Sequence, residues 1–293
     1  MTYQTIIYQP GRIARVILNR PAKLNAENFT MLREMDQAFR AAVDDPDCRV
    51  IVLSGAGRVF SAGHDLTSDD QRADIERLAR PLAPYDRGLL SRDIYTDSHL
   101  RWRDLPKPMI AMVHGQCIYG GWMIAAAMDF IFASEDATFV PTYGDYFTVN
   151  YDVGPRRAKE LLFANRFITA QEAMAFGLVN RLYPAETLEA ETLEYAERVA
   201  SQDPAAARLT KFAINQAMDN AGFSVSVRAV GSSFITRAYP PAQPPGEPAP
   251  ALQGTARPAG LDFGGQFKAR VTQALEYFRR DQAKAAQRSN RAG

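Results

Sequence analysis

Two short segments of this 293-residue chain place glycine where a strand is about to end, among neighbours able to take part in chemistry. The first is Phe60-Ser61-Ala62-Gly63-His64-Asp65-Leu66, soon after an apolar run at 49–54. The second is His114-Gly115-Gln116-Cys117-Ile118-Tyr119-Gly120-Gly121-Trp122, after an apolar run at 109–113 and opening an apolar helix. Glycine lets a turn expose its backbone amides and lets a ligand come close. A helix start adds unpaired N–H groups and a partial positive charge. Two such turns facing one another can bind a single developing oxyanion. The plainer reading of each is that glycine ends a strand and permits close helix packing.

A third segment, Pro141-Thr142-Tyr143-Gly144-Asp145-Tyr146, offers a carboxylate among aromatic rings. Desolvation by such neighbours raises a carboxyl pKa and improves the group as a base; an aspartate in a hydrated turn gains nothing. Asp152 is a second candidate acid, although its place before Val153-Gly154-Pro155 also suits the start of a helix near Arg156. Tyr143 can donate a hydrogen bond or form pocket wall. Tyr85, Tyr95 and Trp102 fit an acyl pocket or a packed aromatic face equally well. His99 and His114 read as satisfied structural residues. There is no G-x-x-x-x-G-K-[ST] loop, no G-x-G-x-x-G after a strand, no G-x-S-x-G, no C-x-x-C and no H-E-x-x-H. The three histidines are too dispersed in sequence for a local metal site.

The elements that must carry these segments follow from periodicity. Tyr3–Tyr8 and Arg12–Leu18 read as a hairpin turning at Gln9-Pro10-Gly11. Asn25 can cap the helix that follows, whose stripe is Leu32, Met35, Phe39 and Ala42. Short buried strands at 49–54, 109–113 and 130–133 alternate with helical stretches, which is the rhythm of an α/β fold. Residues 67–100 form a polar, mostly helical excursion between two strands. After 179–183 the chain reads as helix at 187–201, 205–219, 223–237 and 267–286. Seven of the 18 prolines fall between Pro240 and Pro258, so 239–260 is expected to be a surface loop. The expected division is an α/β core over 1–190 and a helical C-terminal region over 191–293.

Composition narrows the function. With 34 Lys+Arg against 33 Asp+Glu the net charge is +1, which argues against broad nucleic-acid or anionic-membrane binding. Cys48 and Cys117 cannot frame a chain of this length with disulfides and read as buried thiols. Met1–Pro10 lacks the basic start and apolar core of a signal peptide. The longest apolar stretch, Trp122–Met128, falls far short of the ~20 residues that span a bilayer. A cytoplasmic location is expected.

An ordered set of motifs resembles the enoyl-CoA hydratase/isomerase (crotonase) superfamily. It comprises Asn19-Arg20-Pro21-Ala22-Lys23-Leu24-Asn25-Ala26, Val50-Ile51-Val52-Leu53-Ser54-Gly55, Ser61–Leu66, Leu105-Pro106-Lys107-Pro108, His114-Gly115, Gly120-Gly121 and Asp129. It continues with Arg157-Ala158-Lys159-Glu160-Leu161-Leu162, Ala170-Gln171-Glu172-Ala173 and Gly177-Leu178-Val179-Asn180, so that about residues 10–220 are covered. The resemblance implies a spiral of ββα units with a helical C-terminal region, a homotrimer or hexamer, and an acyl-CoA thioester whose carbonyl oxygen is held by two backbone amides. By position these amides belong to His64 and Gly120. It implies no cofactor beyond the coenzyme A of the substrate. Ala62–Leu66, including Asp65, would run along the adenine and pantetheine, with Lys23 near the phosphates and Ile118, Gly121 and Met123 also among the substrate-binding residues.

The match fails where the family's hydratases keep two glutamates. Met123 stands at the first position, and a thioether transfers no proton. Tyr143 is the nearest match to the second, in a segment shorter than usual, and Asp145 can take the acid's place. A two-glutamate hydration is therefore not supported. Double-bond isomerisation or hydration of an enoyl-CoA with Asp145 as acid is the leading expectation. The alternatives are a decarboxylase or C–C hydrolase using the same enolate, with His64 or Tyr143 on a carboxylate, and a CoA-ester-binding protein that has lost its chemistry.

Overall fold

The structure is a computed structural model that describes residues 2–232 and 263–292. The proline-rich 239–260 loop, and the end of the helix expected to reach residue 237, lie outside those residues. Strands β1 (Ile6–Gln9) and β2 (Ile13–Leu18) form the expected hairpin, with Ile6 opposite Leu18. Strands β3 (Val50–Gly55), β4 (Met109–Val113), β6 (Phe130–Ser134) and β9 (Arg181–Tyr183) then add in parallel, giving the order β1-β2-β3-β4-β6-β9. A smaller sheet pairs β7 (Thr138–Val140) with β5 (Gln116–Ile118) in parallel and with β8 (Ile168–Thr169) antiparallel.

The continuous apolar runs of β3 and β4 have a physical cause: both faces of these strands are covered. Ile51, Leu53, Met109, Ala111 and Val113 face the main core. Val50, Val52, Ile110 and Met112 face the opposite way, against Leu188, Ala196 and Ala200 of a later helix. Helix α1 (Phe29–Asp44) buries Leu32, Met35, Phe39 and Ala42, the stripe read from its spacing. Its cap is Asn28, whose side chain accepts the Met31 amide, and not Asn25. The side chain of Asn25 is turned inward instead. Its Oδ1 accepts the Arg20 amide at 3.0 Å and its Nδ2 donates among the carbonyls of Ala56, Val59 and Phe60. That side chain ties the loop after β2 to the loop after β3.

The excursion between β3 and β4 is helical: α2 (Asp69–Asp74), α3 (Pro84–Arg92) and α4 (Ser98–Arg103), interrupted by π-turns at Ile75–Ala79 and Asp93–Asp97. It is anchored at the start of α1, where Gln71 accepts the Phe29 amide and Asp74 accepts the Thr30 amide and hydroxyl. Helix α5 (Gly120–Ala126) leaves the small sheet; α6 (Val149–Asp152), α7 (Pro155–Ala164) and α8 (Ala170–Phe176) follow before β9. Beyond β9 every described element is helical. Helix α9 (Leu188–Ala200) covers the outer sheet face. Helix α10 (Pro204–Asn220) is fastened to the body by Lys211–Asp129 at 2.8 Å and Arg103–Asp219 at 3.1 Å. Helix α11 (Phe223–Gly231) inserts Phe223 and Val227 into the core. The last helix, α12 (Phe263–Ala292), lays Val271, Ala274, Leu275 and Phe278 over Ile118, Tyr119, Val140 and Phe167. Cys48 and Cys117 are free and buried. No helix among the described residues is long and apolar enough to cross a membrane.

Candidate active site

The two glycine turns meet. Isolated parallel bridges join Glu27 to His64 and Ser61 to Cys117. In the first, the Glu27 amide donates to the Gly63 carbonyl and the Asp65 amide to the Glu27 carbonyl, both at 2.9 Å. Because residues 63 and 65 make those bonds, the His64 N–H points away from Glu27's strand. A Cβ built on Gly63 would lie 2.7 Å from the Ile118 carbonyl oxygen and 3.0 Å from the Gly120 nitrogen, so a side chain there would part the two turns; φ of +85° excludes one as well. Tyr119 presents Gly120 from a strained backbone, φ 50° and ψ −99°. The strain is held by its amide on the Val140 carbonyl at 2.9 Å and its hydroxyl on Asn165 at 2.8 Å. Among the described residues, the amides of His64 and Gly120 have no paired acceptor.

The His64 ring carries an acid on each side. Nδ1 lies 3.3 Å from Asp145 Oδ2, and Nε2 lies 3.5 Å from Glu27 Oε2. The ring packs on Tyr95, 4.3 Å between centroids, and Tyr95 comes from the second π-turn of the excursion. Glu27 is fully buried; its Oε1 accepts the Ser61 hydroxyl at 2.6 Å. Its Oε2 and His64 Nε2 are buried and face one another without any other hydrogen-bond partner. A Cβ on Gly120 would collide with the Glu27 carboxyl group and sit 2.6 Å from His64 Cδ2. The row Asp145–His64–Glu27 thus runs against the α-carbon of Gly120.

Burial decides the protonation of this row. It pushes the Glu27 carboxyl up to about 8; the Ser61 hydrogen bond only partly offsets this, and the charge of Asp145 adds to it. Burial drives the His64 imidazole down to about 4. At neutral pH both are therefore uncharged. Asp145 sits at φ 50° after Gly144 at φ +117°, and its carbonyl accepts the Thr96 hydroxyl at 3.2 Å.

The other residues singled out by sequence are placed as follows. Asp65 is buried and locked: Arg20 reaches it at 2.8 Å and the Ser68 hydroxyl at 2.5 Å, while the same guanidinium holds Asp70 at 2.6 Å. Burial alone would raise the Asp65 carboxyl, but the Ser68 and Arg20 bonds outweigh it and hold it below the ordinary range. Lys23 is exposed at the end of a 3-10 turn, and the Ala62 amide donates to the Leu24 carbonyl at 2.9 Å, so these two segments run together. Leu66 is exposed; Gly121 packs against Ser61; Ile118 lies beneath α12 and Met123 in the main core. Tyr143, 67% exposed, is turned to solvent. Asp152 does not begin the helix near Arg156. It closes α6, half-buried, with Trp122 Nε1 and the Thr148 hydroxyl donating to its Oδ2 at 2.8 and 2.7 Å, and desolvation lifts its carboxyl to about 7. Trp102 is buried on Asp36, Tyr85 is exposed, and His99 stacks on Tyr146 with its Nδ1 at 3.2 Å from the Ser98 hydroxyl. His114 Nε2 lies 2.8 Å from the Gly57 carbonyl. No group of His, Cys, Asp and Glu among the described residues is suited to a metal ion.

Sequence reasoning passed over Glu27. A lone glutamate between Ala26 and Asn28 looks like surface, and only its bridge to His64 reveals that it is core.

The chain matches a family model described as enoyl-CoA hydratase/isomerase over residues 9–230. It is 40% identical over 247 residues to "Putative enoyl-CoA hydratase EchA13" of Mycobacterium tuberculosis, covering 77% of this chain and 76% of that protein. It is 36% identical to the human mitochondrial Delta(3,5)-Delta(2,4)-dienoyl-CoA isomerase, covering 68% and 64% respectively. A crystal structure of a probable enoyl-CoA hydratase from Mycobacterium thermoresistibile superposes with a TM-score of 0.71 at 37% identity, over 80% of this chain and 98% of that one.

Proposed function

The chain belongs to the enoyl-CoA hydratase/isomerase family, and from that premise we propose that it moves a double bond in an enoyl-CoA through a thioester enolate. The observation that carries this reading is the meeting of the two glycine turns. It leaves the amides of His64 and Gly120 without an internal acceptor, beside a carboxylate on a strained loop. In this reading the thioester oxygen accepts both amides, and each donor contributes ~2.7–4 kcal/mol to the enolate-like transition state. Asp145 removes a proton from one carbon of the acyl chain and returns it to another, so one acid serves both halves of an isomerisation. Hydration would need a second group to activate water, and Met123 stands where the family's hydratases carry one. The electrostatics favour isomerisation over decarboxylation. His64 is uncharged and its Nδ1 already faces the Asp145 carboxylate, which repels a substrate carboxylate. Assembly as a homotrimer or hexamer belongs to the same reading; the exposed Leu209, Phe212 and Ile214 of α10 are apolar surface that subunit contact would cover.

The test is proton exchange. The protein is incubated in D2O with a panel of enoyl-CoAs, and substrate and product masses are followed. Deuterium enters an isomerised product with wild-type protein and not with D145N, which still binds the thioester. Exchange undiminished in D145N removes Asp145 from the mechanism, and no exchange with any thioester removes the reading.

A further inference from the structure

We propose that Glu27 is a positioning residue that acts on the site through His64: as a neutral carboxylic acid it donates from Oε2 to Nε2, which fixes the imidazole as its Nδ1–H tautomer aimed at Asp145. The proposal rests on the reading of Asp145 as the acid–base group and names what orients and tunes it.

Three observations carry it. First, the two buried atoms Glu27 Oε2 and His64 Nε2 face each other at 3.5 Å with no other partner. A proton between them satisfies both, and the excess over hydrogen-bond length is the looseness that sites often show before substrate binds. Second, the Asp145 carboxylate can only accept, so the neutral ring carries its hydrogen on Nδ1, 3.3 Å from Asp145 Oδ2. Nε2 is then an acceptor, and the group facing it is Glu27 Oε2, which meets it as a donor only when the acid proton is there. Third, the Glu27 carboxyl group lies against the α-carbon of Gly120, whose amide is a proposed oxyanion donor. A negative charge there would oppose an enolate at the same amide, so the donor set works only while Glu27 stays protonated.

Apart from a proton on His64, the groups around Glu27 offer it no neutralising charge. From the 61–65 turn it meets Ser61 and His64, from β5 Cys117, from the excursion Tyr95, and from the loop before α6 Asp145. None is a standing cation. Arg20, the cation of this turn, is committed to Asp65 and Asp70. Ionisation of Glu27 therefore places a second negative charge beside Asp145 and strips His64 of its donor.

The experiment pairs a rate measurement with a spectroscopic one on wild type, E27Q and E27L. Glutamine keeps the shape and a permanent N–H donor; leucine keeps bulk alone. In wild type, kcat for isomerisation falls on the alkaline side with a midpoint near pH 8, reaching about a tenfold loss one unit above it. In E27Q that limb is gone, with kcat at pH 9 within about twofold of its pH 7 value. E27L loses about tenfold or more in kcat while KM moves about twofold or less. Independently of any substrate, the side-chain 15N spectrum of wild type shows His64 as the neutral Nδ1–H form at pH 7. Its Nε2 signal titrates near pH 8, and that titration is missing in E27Q. An imidazolium at pH 7, the same alkaline limb in E27Q, or E27L turning over like wild type overturns the proposal. If no enoyl-CoA reacts at all, the acyl-CoA reading fails while the 15N titration still decides the role of Glu27.

Discussion

Replacing Glu27 by glutamine should stabilise the protein, and by an amount that depends on pH in a calculable way. The carboxyl titrates at about 8 in the folded chain against an ordinary value of 4.5. The folded state therefore holds a proton that the unfolded state releases over this window. Below about pH 4.5 the acid is neutral in both states and costs nothing. As pH rises the unfolded chain ionises first, and folded stability falls by about 1.4 kcal/mol per unit until Glu27 itself ionises near 8. The accumulated loss is about 3 kcal/mol at pH 7 and approaches roughly 5 kcal/mol at pH 9. A glutamine cannot titrate and keeps the Ser61 contact. The excess stability of E27Q over wild type, from urea denaturation at pH 5, 6, 7, 8 and 9, should thus climb with pH and level off above 8. His64, driven down to about 4, is neutral in both states above its ordinary range and does not bend the upper part of the curve. A difference that stays constant from pH 5 to pH 8 would falsify the assignment of a neutral buried acid. It would mean that Glu27 is ionised in the native protein.

Three further outcomes follow from the same geometry. Arg20→Ala leaves the buried Asp65 carboxylate without its guanidinium and should cost about 3–5 kcal/mol at neutral pH. Asp65 is held low in the wild type, so its stabilising effect is lost as pH falls, and the mutant's deficit by urea denaturation should shrink in acid; an equal deficit at pH 3 and pH 7 would contradict this. Gly63→Ala drives a methyl into the Ile118 carbonyl at a φ that L-residues avoid, and should reduce deuterium exchange about 100-fold or more in protein that remains folded by circular dichroism. Trp122→Phe removes one of two donors to Asp152, whose carboxyl burial already lifts to about 7. The lost bond favoured the ionised form, so its cost of ~1–3 kcal/mol should be larger at pH 8 than at pH 5 in paired melts.

What could be read from the sequence were features whose cause is local. The runs in β3 and β4 are apolar at every position because each face meets its own cluster, and that leaves a plain signature. The 67–100 excursion reads as a polar, mostly helical stretch, yet its π-turns leave no trace in the pattern, and one of them delivers Tyr95 to His64. Asn25 and Asn28 satisfy the same local rule for a helix cap, three residues apart. The choice was made by the carbonyls of Ala56, Val59 and Phe60, which lie more than 30 residues away and need the amide of Asn25.

The candidate site divides along the same line. Its backbone part lies in two glycine segments, and glycine is legible wherever φ is positive or two chains touch. Gly63 does both. Its side-chain part is not. Asp145 can be found as a carboxylate among aromatic rings, but nothing in its own segment says that an imidazole from residue 64 will reach it. Glu27 is harder still. It ends the stretch that begins at Asn19, directly after the last residue that resembles the family, and a glutamate before an asparagine cap is ordinary helix-start chemistry. Its burial follows from one bridge that lays residue 27 beside residue 64 and aims both side chains at the α-carbon of Gly120. A glutamate in such a place costs several kcal/mol at neutral pH that a leucine would not, and packing alone does not account for accepting it. The cost is accounted for if the acid's proton is used by His64.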